Sequence, residues 1–207
     1  MKILIVGSGS TAITISEIIY NNKNFQIIGY VGTSVENKKI GKNIFRDLKY
    51  LGEISLLDII DNSDASGFIT AIGDRYLREF YYYKAFKSGK LPIKVISKES
   101  KISDNVSTGA GVVIFPHSLI SHNVKIGENT FIESGVIIEP NCDIGSNCNL
   151  EAGCIVSGNT IIKKNTTIGK NSVIKNDLVI GKNQKISPNQ YIDKNLEDIQ
   201  REEIIDQ

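Results

Sequence analysis

Residues 126–149 read IGENTF IESGVI IEPNCD IGSNCN, four consecutive blocks of six residues that each begin with isoleucine. The same frame runs without insertion from Ile96 to Ile192, and its first position is Ile, Leu or Val in every block except the one that begins at Thr108. An uninterrupted short repeat is typical of a solenoid, in which each unit buries its apolar side against its neighbours. This repeat therefore decides the architecture of the chain.

The fourth and fifth positions of the frame predict the shape of each block. The fourth position is almost entirely Asn or Gly, residue types that tolerate positive φ, so each block contains one sharp corner. The fifth position holds small or medium residues such as Val136, Thr160 and Ser172, which we expect to point inward beside the isoleucines. Three strands and three corners then form one coil of a parallel β-helix, and the coils stack about 4.8 Å apart. Residues 95–192 provide roughly five such coils.

The composition excludes several classes of function. The net charge is +1, so neither a nucleic-acid surface nor a membrane surface is indicated, and no apolar run is long enough to span a membrane. The stretch after Met1 lacks the basic leader of a signal peptide, and we therefore expect a cytoplasmic protein. Cys142, Cys148 and Cys154 all occupy the inward fifth position, which favours buried, reduced and unreactive thiols over metal or redox roles.

The first domain, residues 1–94, begins with a predicted strand, Met1–Val6, followed by a glycine-containing turn and a helix. Strand, turn and helix in this order favour an anion-binding turn in which backbone N–H groups face a phosphate. A second predicted strand, Phe25–Val31, ends at Gly32 and Thr33, where the acid that would hold a ribose is missing. The alternative is a tight strand-to-helix turn that binds nothing.

The rest of this domain reads as further Rossmann-like βαβ units. Glu53–Ile60 is predicted to be a helix, Gly67–Ile72 a buried strand, and the tyrosine-rich segment around Tyr82 a helix with a partly buried face. The tail, residues 193–207, is predicted to form a short amphipathic helix. The fold class is thus a small Rossmann-like α/β domain followed by a β-helix of hexapeptide repeats.

These residues carry a family resemblance. A small βαβ domain with a glycine turn, the segment Ala71-Ile72-Gly73-Asp74 with Arg78, and uninterrupted hexapeptides resemble the sugar acetyltransferases of the sialic acid O-acetyltransferase and bacillosamine N-acetyltransferase type. The resemblance implies a homotrimer of left-handed β-helices, acetyl-CoA in the groove between neighbouring helices, and a free or nucleotide-linked sugar on the first domain. No metal is implied.

The resemblance also implies site residues. The substrate residues would be Gly7, Ser8, Gly9, Ser10, Thr11, Gly32, Thr33 and Asp74, and the CoA residues would be Asn149, Gly153 and Lys170. The family's catalytic His aligns with Pro140, and the acid that follows that His aligns with Asn141. Since proline cannot remove a proton, a different base is required.

Three residues are candidates to replace the family's His. His122 occupies the same third position one coil earlier, about 4.8 Å away, although an exposed polar residue on a solenoid is usually just solvated. Glu139 and Glu133 flank the same groove, but exposed carboxylates without a role are common. His117 occupies a corner position, which favours a structural role.

Two functional hypotheses follow. The first is an acyl-CoA-dependent transferase that acts on an amino or hydroxy sugar in surface-glycan biosynthesis, with a relocated or substrate-supplied base. The second is a catalytically silent homologue that binds a sugar nucleotide or stabilises a partner enzyme. In either case we expect a trimer whose packing buries faces such as those of Phe131 and Val113.

Overall fold

A computed structural model describes residues 1–21, 24–32, 39, 41–53 and 63–200 of the chain. The chain divides into two compact units. The first comprises Met1–Ser97 with Ala110–Val113, and the second comprises Lys98–Gly109 with Ile114–Gln207. No helix in the described ranges is long and apolar enough to cross a membrane.

The first unit is built on a six-stranded sheet in the order β3-β4-β2-β1-β5-β6. Its strands are parallel except for β3, which pairs antiparallel with β4. The elements are β1 Lys2–Val6, α1 Ser10–Tyr20, β2 Gln26–Gly32, β3 Asn43–Phe45, β4 Leu48–Glu53, β5 Gly67–Thr70, α2 Arg75–Lys87 and β6 Leu91–Pro92. The predictions for β1, α1, β2, β5 and the tyrosine-bearing helix are confirmed.

The continuous apolar runs of β1 and β5 are buried, as expected for central strands of a parallel sheet. One core cluster joins Leu4, Val6, Val31 and Phe68 to the inner face of α2, where Tyr81, Tyr82 and Ala85 are buried. The ring centroids of Phe68 and Tyr82 lie 5.6 Å apart in an edge-to-face contact. The sheet therefore holds the carboxyl ends of β1, β2 and β5 in fixed positions.

The second unit is the expected left-handed parallel β-helix, with a strand of two residues in each block. Each strand pairs in parallel with the strand 18 residues later, as Leu119 does with Ile137. We name three sheets: S1 contains β10, β13, β16, β19 and β22, S2 contains β8, β11, β14, β17, β20 and β23, and S3 contains β9, β12, β15, β18 and β21. The strand bounds are β7 Val95–Ile96, β8 Lys101–Ile102, β9 Ser107–Thr108, β10 Val113–Ile114, β11 Leu119–Ile120, β12 Lys125–Ile126, β13 Phe131–Ile132, β14 Ile137–Ile138, β15 Asp143–Ile144, β16 Asn149–Leu150, β17 Ile155–Val156, β18 Ile161–Ile162, β19 Thr167–Ile168, β20 Val173–Ile174, β21 Val179–Ile180, β22 Lys185–Ile186 and β23 Tyr191–Ile192.

The corners of the β-helix are where the frame predicts them. Fourth-position residues from Gly111 to Asn189 adopt positive φ, for example +63° at Asn141, +56° at Asn147 and +72° at Gly153, whereas Asn105, in the first blocks, does not. Asparagines in successive coils bond to one another through their side chains, as Asn147 Nδ2 donates to Asn165 Oδ1 at 2.9 Å. The corner residues thus satisfy a local backbone demand and join neighbouring coils at the same time.

The structure corrects three expectations. Residues 193–200 form no helix: Leu196 bridges in parallel to Ile180, so this segment extends the β-helix, while residues 201–207 lie outside the described residues. Glu53 ends strand β4 and does not begin a helix, and the remainder of the helix predicted there also lies outside the described residues. Phe131 and Val113 are already buried within one chain, at 3 % and 0 % exposure, so neither offers a surface for trimer packing.

Candidate functional site

The glycine turn after β1 lies against the loop that follows β5. The Gly7 N–H donates to the Val31 carbonyl at 2.6 Å, and Gly7 has a φ of +123°. A Cβ at Gly7 would lie 2.6 Å from the Ala71 carbonyl oxygen, so only glycine fits this close approach. Gly9 is the N-cap of α1 and supplies no side-chain cap, and the first turn of the helix carries no acid. The turn thus presents backbone N–H groups of the kind that bind anions.

The turn lies at the point where the strand order reverses. Strands β2 and β4 extend from β1 in one direction, and β5 and β6 extend in the other. Ligands of open α/β sheets bind at such a switch point, outside the carboxyl ends of the strands. Gly73, in the loop after β5, faces the Thr11 hydroxyl, because a Cβ at Gly73 would lie 3.8 Å from Thr11 Oγ1. The structure therefore brings Gly7, Ser8, Thr11 and the 71–74 loop to one edge.

The Asp74 side chain caps the N-terminus of the helix that follows it. Its Oδ1 accepts hydrogen bonds from the backbone N–H groups of Tyr76 at 3.0 Å and Leu77 at 2.9 Å, as the N-cap of α2. Removal of an N-cap carboxylate leaves these two donors without an acceptor. Whatever role Asp74 has toward a ligand, it first holds the start of α2 beside the glycine turn.

An acid that the sequence did not reveal lies at this edge. Gly32 ends β2 and is paired in register with Glu53 at the end of β4, so an acidic residue stands next to the strand end where an acid after β2 is missing. Glu53 is half-buried. Only the pairing of β2 with β4 places it there, and no sequence signal near residue 32 could have found it. Thr33 lies outside the described residues.

A cation also reaches the turn. Lys39 Nζ donates to Ser8 Oγ at 3.0 Å and lies 3.4 Å from the Ser8 carbonyl oxygen. Ser8 is buried, with 5 % of its surface exposed. An ammonium group beside an anion-binding turn adds a formal positive charge to the partial charges of the N–H groups. Lys39 is thus a second candidate residue that sequence reasoning missed.

Pro140 and His122 lie in adjacent coils at the same corner of the β-helix, which we call the B edge; its fourth-position residues are Asn123, Asn141, Asn159 and Asp177. The Asn141 N–H donates to the His122 carbonyl at 3.1 Å, which fixes the two coils in the predicted register. The His122 side chain is exposed, and Pro140 is half-buried. The structure therefore places an imidazole one coil away from the position that proline occupies.

Glu139, a candidate base, and Asn141, which aligns with the family's acid and is the third predicted catalytic residue, both have structural partners. Glu139 Oε2 accepts the Gly158 N–H at 2.9 Å. Asn141 Nδ2 donates to Asn159 Oδ1 at 3.0 Å, while Asn141 Oδ1 accepts from Asn123 Nδ2 at 3.0 Å. The amide of Asn141 is thus held within a ladder, whereas the second carboxylate oxygen of Glu139 has no bond to another residue in the part of the chain that the structure describes.

The predicted CoA residues cluster around a different corner. Gly153 and Asn171 belong to the fourth-position corner that follows S1, together with His117 and Gly135, and we call this corner the A edge. Lys170 is exposed beside it, and its N–H donates to Glu151 Oε2 at 3.2 Å. Asn149 begins the S1 strand of the same coil as Gly153. His117 belongs to this edge as well, where its Nε2 lies 3.5 Å from Glu99 Oε2 with both side chains exposed.

The A edge and the B edge border the same face of the prism, the outer face of S2. This face carries an apolar ladder of sixth-position residues: Leu119, Ile137, Ile155, Val173 and Tyr191. Leu119 is 39 % exposed and Tyr191 is 64 % exposed. An exposed apolar stripe along a whole sheet is the kind of surface that another protein surface covers.

The three cysteines are confirmed as buried core residues, at 0–1 % exposure. Burial, with a smaller contribution from nearby carboxylates, raises the pKa of the Cys142 thiol to about 11 and that of Cys154 to about 12. Within the described residues, no group of three or more His, Cys, Asp or Glu side chains is arranged to hold a metal ion.

Comparisons with known proteins match this architecture in both parts of the chain. Residues 2–85 match the PglD N-terminal domain, and residues 123–158 match the bacterial transferase hexapeptide (six repeats). A comparison with curated protein sequences finds no significant match.

Several solved structures share the fold. WeeI from Acinetobacter baumannii is 21 % identical with a TM-score of 0.84, over 96 % of this chain and 94 % of that chain. PerB from Caulobacter crescentus, solved in complex with CoA and GDP-perosamine, is 18 % identical with a TM-score of 0.61, over 96 % and 92 %. The acetyltransferase domain of PglB from Neisseria gonorrhoeae, solved with acetyl coenzyme A, is 16 % identical with a TM-score of 0.59, over 95 % and 93 %.

The β-helix carries the repeat that is typical of bacterial hexapeptide transferases. The match of the first unit to the PglD N-terminal domain narrows this class. The chain thus combines a PglD N-terminal domain with the hexapeptide repeats of bacterial transferases.

Proposed function

We propose that this protein transfers an acyl group, most simply acetyl, from CoA to an amino or hydroxy group of a nucleotide-linked sugar in surface-glycan biosynthesis. The observation that carries the proposal is the match of residues 2–85 to the PglD N-terminal domain in a chain that continues as a hexapeptide β-helix. Proteins of the same fold were solved with CoA and GDP-perosamine, or with acetyl coenzyme A. Acetyl-CoA is accordingly the proposed co-substrate.

The carboxyl edge of the first sheet would hold the sugar nucleotide. The glycine turn at Gly7 and the start of α1 offer backbone N–H groups to a phosphate, and Lys39 adds a positive charge at Ser8. Glu53, paired with Gly32, offers a carboxylate that accepts hydrogen bonds from sugar hydroxyls. A cation at the turn and an acid at the end of β4 thus suit a ligand with both a phosphate and hydroxyl groups.

The β-helix would bring acyl donor and base together only in an oligomer. Gly153 and Lys170 lie at the A edge and His122 lies at the B edge, so one chain separates the two sets by the width of a sheet. The apolar outer face of S2 lies between these edges. If three copies pack this face around a common axis, the A edge of one copy comes next to the B edge of the next. A homotrimer would therefore complete the site.

The chemistry requires one proton to leave the nucleophile. The sugar nitrogen or oxygen attacks the thioester carbonyl carbon, the carbon–sulfur bond breaks, and the CoA thiolate leaves and takes up a proton. A positioned base contributes about two to four decades of rate. His122 is exposed one coil from Pro140 and is the proposed base; the alternative is an amine that arrives already neutral, for which positioning supplies most of the acceleration.

The presence of Pro140 at the position of the family's catalytic His also supports a second function. If no side chain takes the place of the family's His, the protein would be a silent homologue that binds a sugar nucleotide or stabilises a partner enzyme of the pathway. This second function needs the carboxyl edge of the first sheet but not the A edge of the β-helix. Binding of acetyl-CoA therefore distinguishes the two.

Isothermal titration calorimetry with acetyl-CoA, followed by a panel of UDP-, GDP-, CMP- and dTDP-linked amino sugars, tests the proposal. Binding of both ligands, with release of free thiol when they are mixed, is expected. Binding of a sugar nucleotide without acetyl-CoA would establish the silent homologue. Binding of neither ligand would refute both functions.

A variant at the glycine turn tests the assignment of the phosphate. Lys39→Ala removes a charge-assisted contact worth about 1.5–3 kcal/mol, which corresponds to about tenfold to a hundredfold weaker binding of the matching nucleoside diphosphate. Binding of the uncharged nucleoside should not change. The control is Lys42→Ala, which removes an exposed lysine nearby. An equal loss in both variants would argue against a specific contact at Ser8.

A further inference from the structure

Helix α2 exposes large apolar side chains on the side that the fold does not cover. Its inner side is buried through Arg75, Arg78, Tyr81, Tyr82 and Ala85. Its outer side exposes Leu77 at 48 %, Phe80 at 57 %, Tyr83 at 46 % and Phe86 at 51 %. A surface helix normally turns polar residues toward water and does not expose four large apolar side chains. The outer side of α2 is thus an interaction surface.

This surface is positively charged. Lys84, Lys87 and Lys90 accompany the exposed rings with a single acid, Glu79, although the whole chain has a net charge of only +1; Arg75 and Arg78 are buried on the inner side of the helix and do not contribute to this surface. Lys84 and Lys87 lie in the last turn of the helix. Lys84 Nζ is 5.5 Å from the centroid of the Phe80 ring, and neither lysine forms an ion pair within the described ranges. The charge that the total conceals is concentrated beside the exposed rings.

We propose that the outer face of α2 binds peripherally to an anionic membrane surface. Aromatic and leucine side chains on a helix flanked by lysines match the boundary between lipid headgroups and acyl chains, where rings insert and ammonium groups reach phosphate. This is adsorption to the surface, since no helix in the described ranges can span a membrane. The prediction from total charge, that no membrane surface is involved, is revised because total charge says nothing of its distribution.

The positive charge on the outer face of α2 favours an anionic membrane surface over a second copy of the chain as the binding partner. Two copies that met through this face would bring Lys84 and Lys87 of one chain close to the same lysines of the other, and like charges oppose association. An anionic surface pairs with them instead. The attraction amounts to about 1 kcal/mol per lysine near a charged leaflet, so two lysines are worth about a thirtyfold change in partitioning.

Vesicle co-sedimentation of the full chain tests the proposal. One set of vesicles contains phosphatidylcholine alone, and the other contains about one third phosphatidylglycerol. We expect binding to the anionic vesicles that weakens as salt is added. Lys84→Gln with Lys87→Gln should lower that binding about thirtyfold. Phe80→Ser with Phe86→Ser should lower it at least tenfold, because two rings no longer insert.

Matched controls lie on the β-helix, where Lys125→Gln with Lys185→Gln removes two exposed lysines and Ile161→Ser removes an exposed apolar residue. These controls should leave vesicle binding within twofold, and far-UV circular dichroism should show every variant to be folded. Equal losses in the controls and the α2 variants, or no binding to anionic vesicles, would refute the proposal. A change of oligomeric state in Phe80→Ser with Phe86→Ser, measured by light scattering, would assign the face to a second copy and refute it as well. The proposal would also be refuted if the chain bound an acidic protein but not anionic vesicles.

Discussion

Replacement of Asn147 by alanine removes the middle of a buried amide ladder. Asn147 is 3 % exposed and has a φ of +56°. Its Nδ2 donates to Asn165 Oδ1 at 2.9 Å, and its Oδ1 accepts from Asn129 Nδ2 at 2.8 Å. Alanine supplies neither bond and must still adopt the left-handed backbone.

The cost follows from these three losses. An ordinary side chain in the left-handed region costs about 1–2 kcal/mol. The amide donor of Asn129 and the carbonyl acceptor of Asn165 each lose a bond inside the protein, at about 1–3 kcal/mol each. Because such contributions do not add fully, we expect Asn147→Ala to lower the free energy of unfolding by about 3–6 kcal/mol. For a chain of this size the melting temperature should fall by roughly 10 °C or more.

Thermal unfolding followed by far-UV circular dichroism measures the effect, and two variants separate its causes. Asn147→Gly keeps the loss of the bonds but adopts positive φ freely, so it should be less destabilising by about 1–2 kcal/mol. Asn141→Ala lies in an exposed ladder where water replaces the lost partners, so it should cost about 1–2 kcal/mol. The reasoning would be refuted if Asn147→Ala and Asn141→Ala had the same melting temperature.

Three further predictions concern activity, assembly and pH. In a preparation that acetylates a sugar, His122→Ala should lower the maximal rate by about two to four decades with little change in melting temperature, whereas His117→Ala should do the reverse; an unchanged rate in His122→Ala would leave the neutral amine as the explanation. Ile155→Asp, in the middle of the S2 ladder, should convert the proposed trimer to monomers, as measured by light scattering, and a trimer that survives would place the interface elsewhere. Because the pKa values of Cys142 and Cys154 are raised to about 11 and about 12 by burial, the unfolded chain loses these protons first as pH rises, so stability should be constant below about pH 8.5 and fall toward pH 11. Rapid alkylation of either thiol in the folded protein at neutral pH would contradict the burial on which this rests.

The β-helix was predictable because its information is local. The residue types within each block predict which residue is buried, for example Ile138, and which residue forms the corner, for example Asn141. A repeat without insertion stacks each block on the one 18 residues earlier, so the register of the whole solenoid follows. The same frame predicted that His122 and Pro140 lie in adjacent coils, and the structure confirms this arrangement.

Most strands of the first unit could be predicted, but the residues that meet at the carboxyl edge of its sheet could not. Apolar runs identified β1, β2 and β5, yet the hairpin of β3 and β4 is short and mixed in polarity and was not identified. The acid at Gly32 was sought in the residues that follow β2, where the sequence has none. It lies instead on β4, since parallel strands bring residues distant in sequence to the same end of a sheet.

The sequence by itself determined the repeat, its corners, its inward residues and the strand-turn-helix at Gly7, because each depends on the backbone preference and polarity of residues within a few positions. Tertiary structure alone decided that Lys39 reaches the glycine turn, that Glu53 pairs with Gly32, that the outer rings of α2 are exposed, and that Phe131 is covered within one chain. Periodicity reports only whether a side chain points toward or away from its own strand or helix axis. What packs against that side chain depends on residues far away in the chain, and those residues come into contact with it only when the chain folds.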